Sequence, residues 1–64
     1  MNWLYVYEKN TERVKFMLNM DSILSVHFEY NGDKLEKILI FMPGDVYCLD
    51  NKFDQDKILK RLGL

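Results

Sequence analysis

Apolar and polar side chains alternate along much of the first fifty residues, and this alternation predicts β-strands. Successive side chains of a strand point to opposite faces, so a period of two residues marks a strand with one buried face. Aromatic and β-branched residues, which favour strands, are frequent in the alternating segments. Polar or glycine-containing segments separate them. The pattern predicts five strands, at about 3–7, 13–20, 23–30, 35–42 and 46–49.

The faces of these strands differ in polarity. In 13–20 and 23–30 the even-numbered side chains are apolar and the odd-numbered ones are mostly polar, so each strand is predicted to bury one face. The segments 3–7 and 38–42 are apolar on both faces, which is typical of central strands or of strands at an interface. Met17 is the apolar exception on the polar face of 13–20. It therefore marks a candidate contact surface.

The hairpin between the third and fourth strands is predicted from Asn31-Gly32, two residues that tolerate a positive φ. Its register is open. A two-residue loop places Lys37 on the inner face with Phe28, whereas a three-residue loop over 31–33 places Ile38 there. We favour the three-residue loop because it keeps the ammonium group of Lys37 out of the core.

The C-terminal segment carries helix signals. We predict a helix at about 55–62, with Asp54 as the N-cap that accepts amide protons of the first turn. Phe53 is expected to pack on Ile58 as a hydrophobic staple. Gly63 is expected to end the helix in a left-handed conformation. A helix of two turns is too short to be stable alone, so it must pack on the sheet.

Together these elements predict one α+β domain over residues 1–64. Asp21-Ser22 is interpreted as a tight turn and Pro43-Gly44 as a type II turn. The predicted architecture is a small antiparallel sheet of four to five strands with one short helix packed on it. A small curled β-barrel with the helix at one end is the alternative.

The composition indicates that the chain binds a second chain. A domain of 64 residues buries only about 60% of the surface that it exposes when unfolded. Its hydrophobic fraction is nevertheless 48%, and 14% of its residues are aromatic. We therefore expect part of the apolar surface to be covered by a partner protein or by another copy, so that a homo-oligomer is predicted.

Charge and sequence pattern disfavour several other partners. The formal net charge of −1 lacks the basic excess of most nucleic-acid-binding proteins. No basic segment precedes the apolar N-terminal residues, and no apolar run is long enough to span a bilayer. Cys48 is the single cysteine, which fits a reducing compartment. We expect a cytoplasmic protein without a membrane contact.

Three groups of residues suggest chemistry, and none predicts a catalytic, metal or cofactor site. Ser25, His27 and Glu29 share one strand face, but neighbours on one face stand roughly 7 Å apart, which we expect to exceed hydrogen-bonding reach. Cys48 lies between Tyr47 and Leu49 and is expected to be packed in the core. The acidic segment 50–56 lacks the glycine and the closing glutamate of a calcium loop.

The residues predicted to bind a partner form a stripe of aromatic side chains on the first strand together with one methionine. Tryptophan and tyrosine are enriched at protein-binding hot spots because they combine apolar area with a polar group. The stripe could instead be a core face, since large aromatic side chains stabilise small cores. It could also stack nucleic-acid bases, but the first strand has no interleaved basic residue. The partner-binding set is Trp3, Tyr5, Tyr7 and Met17, and a modest anionic contact is expected from Arg13, Lys15, Lys57, Lys60 and Arg61.

These observations predict a non-enzymatic accessory or regulatory protein that acts by binding another protein and that self-associates. Its small size and lack of a catalytic set are shared by the inhibitors and modulators of phages and mobile elements, an analogy of size and not of residues. The alternative hypothesis is a nucleic-acid-binding module that uses a sheet face and a small basic patch.

Overall fold

The computed structural model describes residues 2–64. Five strands precede one C-terminal helix, which confirms the α+β class, and the predicted strand bounds agree within two residues. A short 3₁₀ helix, Met20–Ser22, follows the second strand. The strands are β1 (Trp3–Tyr7), β2 (Val14–Asn19), β3 (Ser25–Asn31), β4 (Lys34–Met42) and β5 (Asp45–Leu49), and the helix is α1 (Lys52–Arg61).

The strands form two antiparallel sheets, so the prediction of a single sheet of four to five strands is wrong. β1 pairs with β2, and a separate sheet has the order β3-β4-β5. The cause lies at residues 20–22, where a 3₁₀ turn replaces the expected tight turn and the side chain of Asn19 accepts the amide proton of Asp21 (3.1 Å). No strand pair joins the two sheets within residues 2–64, so the barrel alternative is also wrong.

The core lies between the inner faces of the two sheets and one side of the helix. Every strand pair contributes to it, because alternate side chains of each strand point inward. Phe16 of β2 stacks on Tyr47 of β5 with ring centroids 4.9 Å apart, which joins the two sheets at one side of the core. The buried apolar residues are Leu4, Val6, Leu18, Ile38, Ile40, Leu49 and Ile58.

The register of the β3–β4 hairpin has the predicted inner face but a different turn. Phe28 pairs with Ile38, so Ile38 lies on the inner face with Phe28, as favoured. The loop, however, is the two-residue Gly32-Asp33, with Gly32 at φ +63° as a type II′ turn needs at its first central position. An irregularity between Glu29 and Tyr30 shifts the pairing by one residue, which returns Ile38 to the face of Phe28, the same face that a three-residue loop would have given it.

The two strands that are apolar on both faces take different positions. β4 lies between β3 and β5 and is central. β1 is an edge strand of a two-stranded sheet, which excludes the central position for it and leaves the alternative of a strand at an interface. Pro43-Gly44 forms the two-residue turn before β5, and the φ of +77° at Gly44 fits the predicted type II turn.

The helix starts three residues earlier than predicted because Asn51, not Asp54, is its N-cap. The side chain of Asn51 accepts the amide proton of Asp54 (2.9 Å) and donates to its carboxylate (2.7 Å). Phe53 lies inside the first turn and is 68% exposed, so the predicted staple is wrong. The predicted stop at Gly63 is confirmed: its φ is +80°, and Leu64 donates its amide proton to the carbonyl of Leu59 (2.9 Å).

The cap assignment predicts the effect of one substitution. Asn51→Ala removes the acceptor for the Asp54 amide and the donor for the Asp54 carboxylate, and should lower the free energy of unfolding by about 1 kcal/mol. Asn51→Ser, which keeps an acceptor, should lower it less. Urea denaturation followed by circular dichroism measures both. An unchanged midpoint for Asn51→Ala would rule out Asn51 as the cap.

The side chain of Gln55 connects the helix to the three-stranded sheet by hydrogen bonds. This side chain is buried, and its amide nitrogen donates to the carbonyl oxygens of Glu36 and Leu49, both at 3.0 Å. Because buried carbonyl groups need donors, this one amide satisfies acceptors on two neighbouring strands. The helix therefore has a fixed position relative to β4 and β5.

Candidate functional site

The residues of the predicted partner-binding stripe lie on the outer face of β1, away from the core. Leu4 and Val6 alternate with them and point inward, which leaves the odd-numbered side chains outside. Tyr5 is 45% exposed and Tyr7 is 36% exposed, while Trp3 is half-buried. We call these three side chains the aromatic strip. The structure therefore places the strip on a surface and not in the core.

β2 completes this outer face with apolar side chains opposite the strip. Met17 pairs with Tyr5 and is 47% exposed, so the methionine that stood out in the sequence lies directly beside a tyrosine. Val14 pairs with Tyr7 and is also exposed, a contribution that the sequence pattern did not reveal. A register irregularity between Val6 and Tyr7 ends the regular pairing at this end of the sheet.

The helix lies along the free edge of β1 and covers that edge with basic side chains. The ammonium group of Lys57 donates to the carbonyl oxygen of Tyr5. The guanidinium group of Arg61 donates to the carbonyl oxygen of Trp3 (3.0 Å) and to the side chain of Asn2. An uncovered strand edge offers free carbonyl and amide groups to other chains, and these contacts occupy two of them. From the sequence, both residues were expected only as part of a modest anionic contact.

Lys57 also joins the aromatic strip to an additional ring. Its ammonium nitrogen lies 5.0 Å from the ring centroid of Tyr7 and 5.4 Å from that of Phe53, within the range of cation–π attraction. Phe53 is strongly exposed, so it extends the apolar surface beyond the end of β1. Phe53 was missed as a surface residue because its position before the predicted helix indicated packing inside the cap.

The other basic residues named from the sequence take different positions. Arg13 forms an ion pair with Glu8, with Nε and Oε2 2.9 Å apart. Lys15 of β2 and Lys60 of α1 are exposed. Only Lys57 and Arg61 are therefore placed directly against the aromatic strip by contacts among the described residues 2–64.

An open cleft lies at the Tyr7 end of the strip. It has a volume of about 800 Å³ and lies between the β1–β2 loop and the start of the helix. The loop contributes Glu8 and Glu12, and the helix contributes Asp54 and the ring of Phe53. The strip thus has Arg61 beside its Trp3 end and Lys57 beside its Tyr7 end, where the cleft lined by Glu8, Lys9 and Glu12 begins.

The outer face of the three-stranded sheet carries the Ser25–His27 pair. Ser25 Oγ and His27 Nε2 are 3.2 Å apart, so the expectation that these neighbours stand too far apart for a hydrogen bond is wrong. Rotation of both side chains toward each other closes the gap between the strand positions. The imidazole also packs against Phe41 (centroids 4.6 Å apart), and Glu29 pairs in register with Lys37 of β4.

Cys48 lies on this same outer face and is exposed, which corrects the prediction of a core cysteine. The register pairs it with Leu39 of β4, so the inward positions of β5 go to Tyr47 and Leu49. Leu39 and Phe41 are half-buried, and Val46 beside Phe41 is exposed. This second apolar face was not recognised in the sequence because β5 is too short to show which side is buried.

Neither a metal cluster nor a membrane-spanning helix is found in the part of the chain that the structure describes. Within residues 2–64, no group of three or more histidine, cysteine, aspartate or glutamate side chains is arranged to hold a metal ion. The acidic segment 50–56 is used for the helix start, as the Asn51–Asp54 contacts show. The helix of ten residues falls well short of the length needed to cross a membrane.

Comparison with models of known protein families, with curated proteins and with solved structures finds no match for this chain. The outer face of β1–β2 must therefore be interpreted from its own residues.

Proposed function

We propose that this chain is a non-enzymatic accessory or regulatory protein that binds another protein through the outer face of β1–β2, and that it self-associates when no partner is present. The observation that carries the proposal is the row of exposed Tyr5, Tyr7, Met17 and Val14 side chains on one small sheet. Contiguous apolar surface on a small domain marks interaction sites, because its exposure to water is unfavourable.

The geometry of this face suits protein recognition. Tyrosine and tryptophan rings bury large areas with few rotatable bonds, and residues of this kind dominate binding energy at interfaces. Methionine adds a flexible, polarisable side chain that adapts to the shape of a partner. The helix covers the edge of β1 and leaves the outer face of Tyr5 and Met17 open.

The test compares two double variants with matched changes. Tyr5→Ser with Met17→Ser removes the centre of the proposed site. The control, Leu24→Ser with Tyr30→Ser, also removes one tyrosine and one other apolar side chain, and these are more exposed: Leu24 is 69% and Tyr30 is 63% exposed. Proteins captured from the native host by the parent chain are identified and re-measured as purified pairs. We expect the first variant to bind at least roughly tenfold more weakly and the second to bind like the parent.

Self-association is measured on the same variants by light scattering over a range of concentrations. The parent should exceed the monomer mass of 7.7 kDa as concentration rises, and the Tyr5→Ser/Met17→Ser variant should stay closer to it. A parent that remains monomeric throughout removes the self-association part alone. Equal loss of partner binding in both double variants would overturn the assignment of the β1–β2 face.

A further inference from the structure

We infer that the partner presents carboxylate groups around an apolar centre, so that the aromatic strip receives apolar side chains and the basic flank formed by Lys57 and Arg61 receives the acidic ones. This inference rests on the proposed function and adds the chemistry of the partner to it. The first strand itself contains no basic residue. The helix, however, places two cations along the edge of that strand, beside the aromatic strip.

The positive charges of the basic flank are not neutralised by the contacts that hold them. Lys57 donates to the Tyr5 carbonyl, and Arg61 donates to the Trp3 carbonyl and the Asn2 side chain, all neutral acceptors. A neutral acceptor fixes the position of a cation without cancelling its field. Within residues 2–64, the ion pairs within 4.0 Å are Arg13–Glu8 and Lys52–Asp56, which do not involve the flank.

Charge is also divided between the two halves of the molecule. Residues 2–22 and 51–64, which form β1, β2 and the helix, carry seven basic and five acidic side chains, a net charge of +2. Residues 23–50, which form the three-stranded sheet, carry two basic and five acidic side chains, a net charge of −3. An acidic partner is therefore attracted to the half that bears the aromatic strip and repelled from the other half.

The extent of the basic flank favours a short acidic protein segment over a nucleic-acid strand. Lys57 and Arg61 are one helical turn apart, about 6 Å along the axis. At the Tyr7 end the cleft is lined by Glu12 and Lys9 and by Glu8, whose carboxylate is paired with Arg13, and at the Trp3 end a groove beside Met17 includes Asp45. A phosphate backbone that continued past the flank would meet the carboxylates of Glu12 and Asp45, whereas a segment with one or two carboxylates would not.

The test removes the positive charge from the flank. In Lys57→Gln with Arg61→Gln, both cations are replaced by neutral, shorter amide side chains. Lys34→Gln with Lys37→Gln changes the net charge equally on two exposed residues of the other half. Both variants are first checked by urea denaturation, so that only folded chains are compared. Because the net charge changes equally in both, a difference in peptide affinity between the two variants reports the effect of where the charge lies.

The probe is a random dodecapeptide library displayed on phage and selected on the immobilised full chain. We expect the parent and Lys34→Gln/Lys37→Gln to enrich peptides that combine aspartate or glutamate with apolar residues. Synthetic versions of these peptides should bind the Lys57→Gln/Arg61→Gln variant about tenfold more weakly, and added salt should weaken their binding to the parent.

The outcomes separate this inference from the proposed function. Enrichment of apolar peptides without acidic residues, or equal affinity for both variants, overturns the inference and leaves the protein-binding function standing. No enrichment on the parent overturns the inference of a short acidic segment, while the proposed function is decided by the capture experiment with the matched double variants. A fluorescent oligothymidylate dodecamer is titrated in parallel. If it binds more tightly than the acidic peptides and Lys57→Gln/Arg61→Gln abolishes its binding, the partner is a single-stranded nucleic acid and the inference of an acidic protein fails.

Discussion

Replacing Ile40 by alanine should leave much of this chain unfolded at room temperature. Ile40 has no exposed surface and belongs to β4, the central strand of the three-stranded sheet. Truncation of a buried isoleucine costs about 2–5 kcal/mol, and a core of this size supplies only about 3–5 kcal/mol in all. Circular dichroism at increasing urea should show a transition near zero denaturant or no transition.

Two further variants make this expectation specific. Ile40→Val removes one methylene group and should cost about 0.5–1.5 kcal/mol, which leaves a measurable transition at lower urea. Leu24→Ala removes an exposed side chain and should shift the free energy of unfolding by less than about 0.5 kcal/mol. An Ile40→Ala chain as stable as Leu24→Ala would show that Ile40 is not part of the core.

Gln55→Glu should destabilise the chain by about 3 kcal/mol or more at neutral pH. The buried amide nitrogen that donates to the carbonyl oxygens of Glu36 and Leu49 would become a carboxylate oxygen facing both. Burial of an unpaired charge beside two acceptors is strongly unfavourable. Gln55→Met removes the donor without adding charge and should cost less, about 1–3 kcal/mol.

The two variants at position 55 should also differ in their dependence on pH. Burial and the facing carbonyls favour the protonated carboxyl group, so in the folded chain the pKa of the introduced glutamate side chain is raised above its unfolded value of about 4.3. The stability of Gln55→Glu relative to Gln55→Met is therefore highest below that value and is lost as the pH rises through the folded value. Unfolding measured at about pH 4 and at neutral pH tests this. A constant difference between the two variants would show that position 55 is open to water.

Local patterns predicted the elements of this fold better than their assembly. β1 was found with its bounds because Trp3–Tyr7 is a dense run of strand-forming residues between polar segments. The division into two sheets was missed because it depends on the backbone path at Met20–Ser22, which the short polar pair Asp21-Ser22 does not encode. The helix start was misplaced because Asn51 and Asp54 are both good capping residues, three positions apart.

Burial was predicted where alternation was long and missed where it was short. β4 has nine residues, and its inward side chains were assigned to the correct face. β5 has five residues with apolar side chains on both faces, so nothing in its sequence determined that Cys48 points outward. Its side was set by pairing with β4, a long-range property.

The candidate site was predictable in its apolar part only. Alternation alone placed Tyr5 and Tyr7 on one face, and the unusual Met17 indicated the same surface from the neighbouring strand. Lys57 and Arg61 were expected to form an anionic contact, but their position beside the strip could not be predicted, because they reach β1 across more than fifty residues of sequence. Only the packing of the helix along the strand edge brings these cations beside the aromatic rings.

The attachment of the helix to β1 orders the events of folding. Contacts between positions 57 and 5, and between 61 and 3, close loops of more than fifty residues and carry a large entropic cost, so they are expected to form late. Until then the first strand has bare carbonyl groups next to apolar rings, the combination most prone to pairing with a neighbouring molecule. If the helix docks slowly, part of the protein should aggregate during refolding at high concentration. Dilution should then raise the yield of refolded protein.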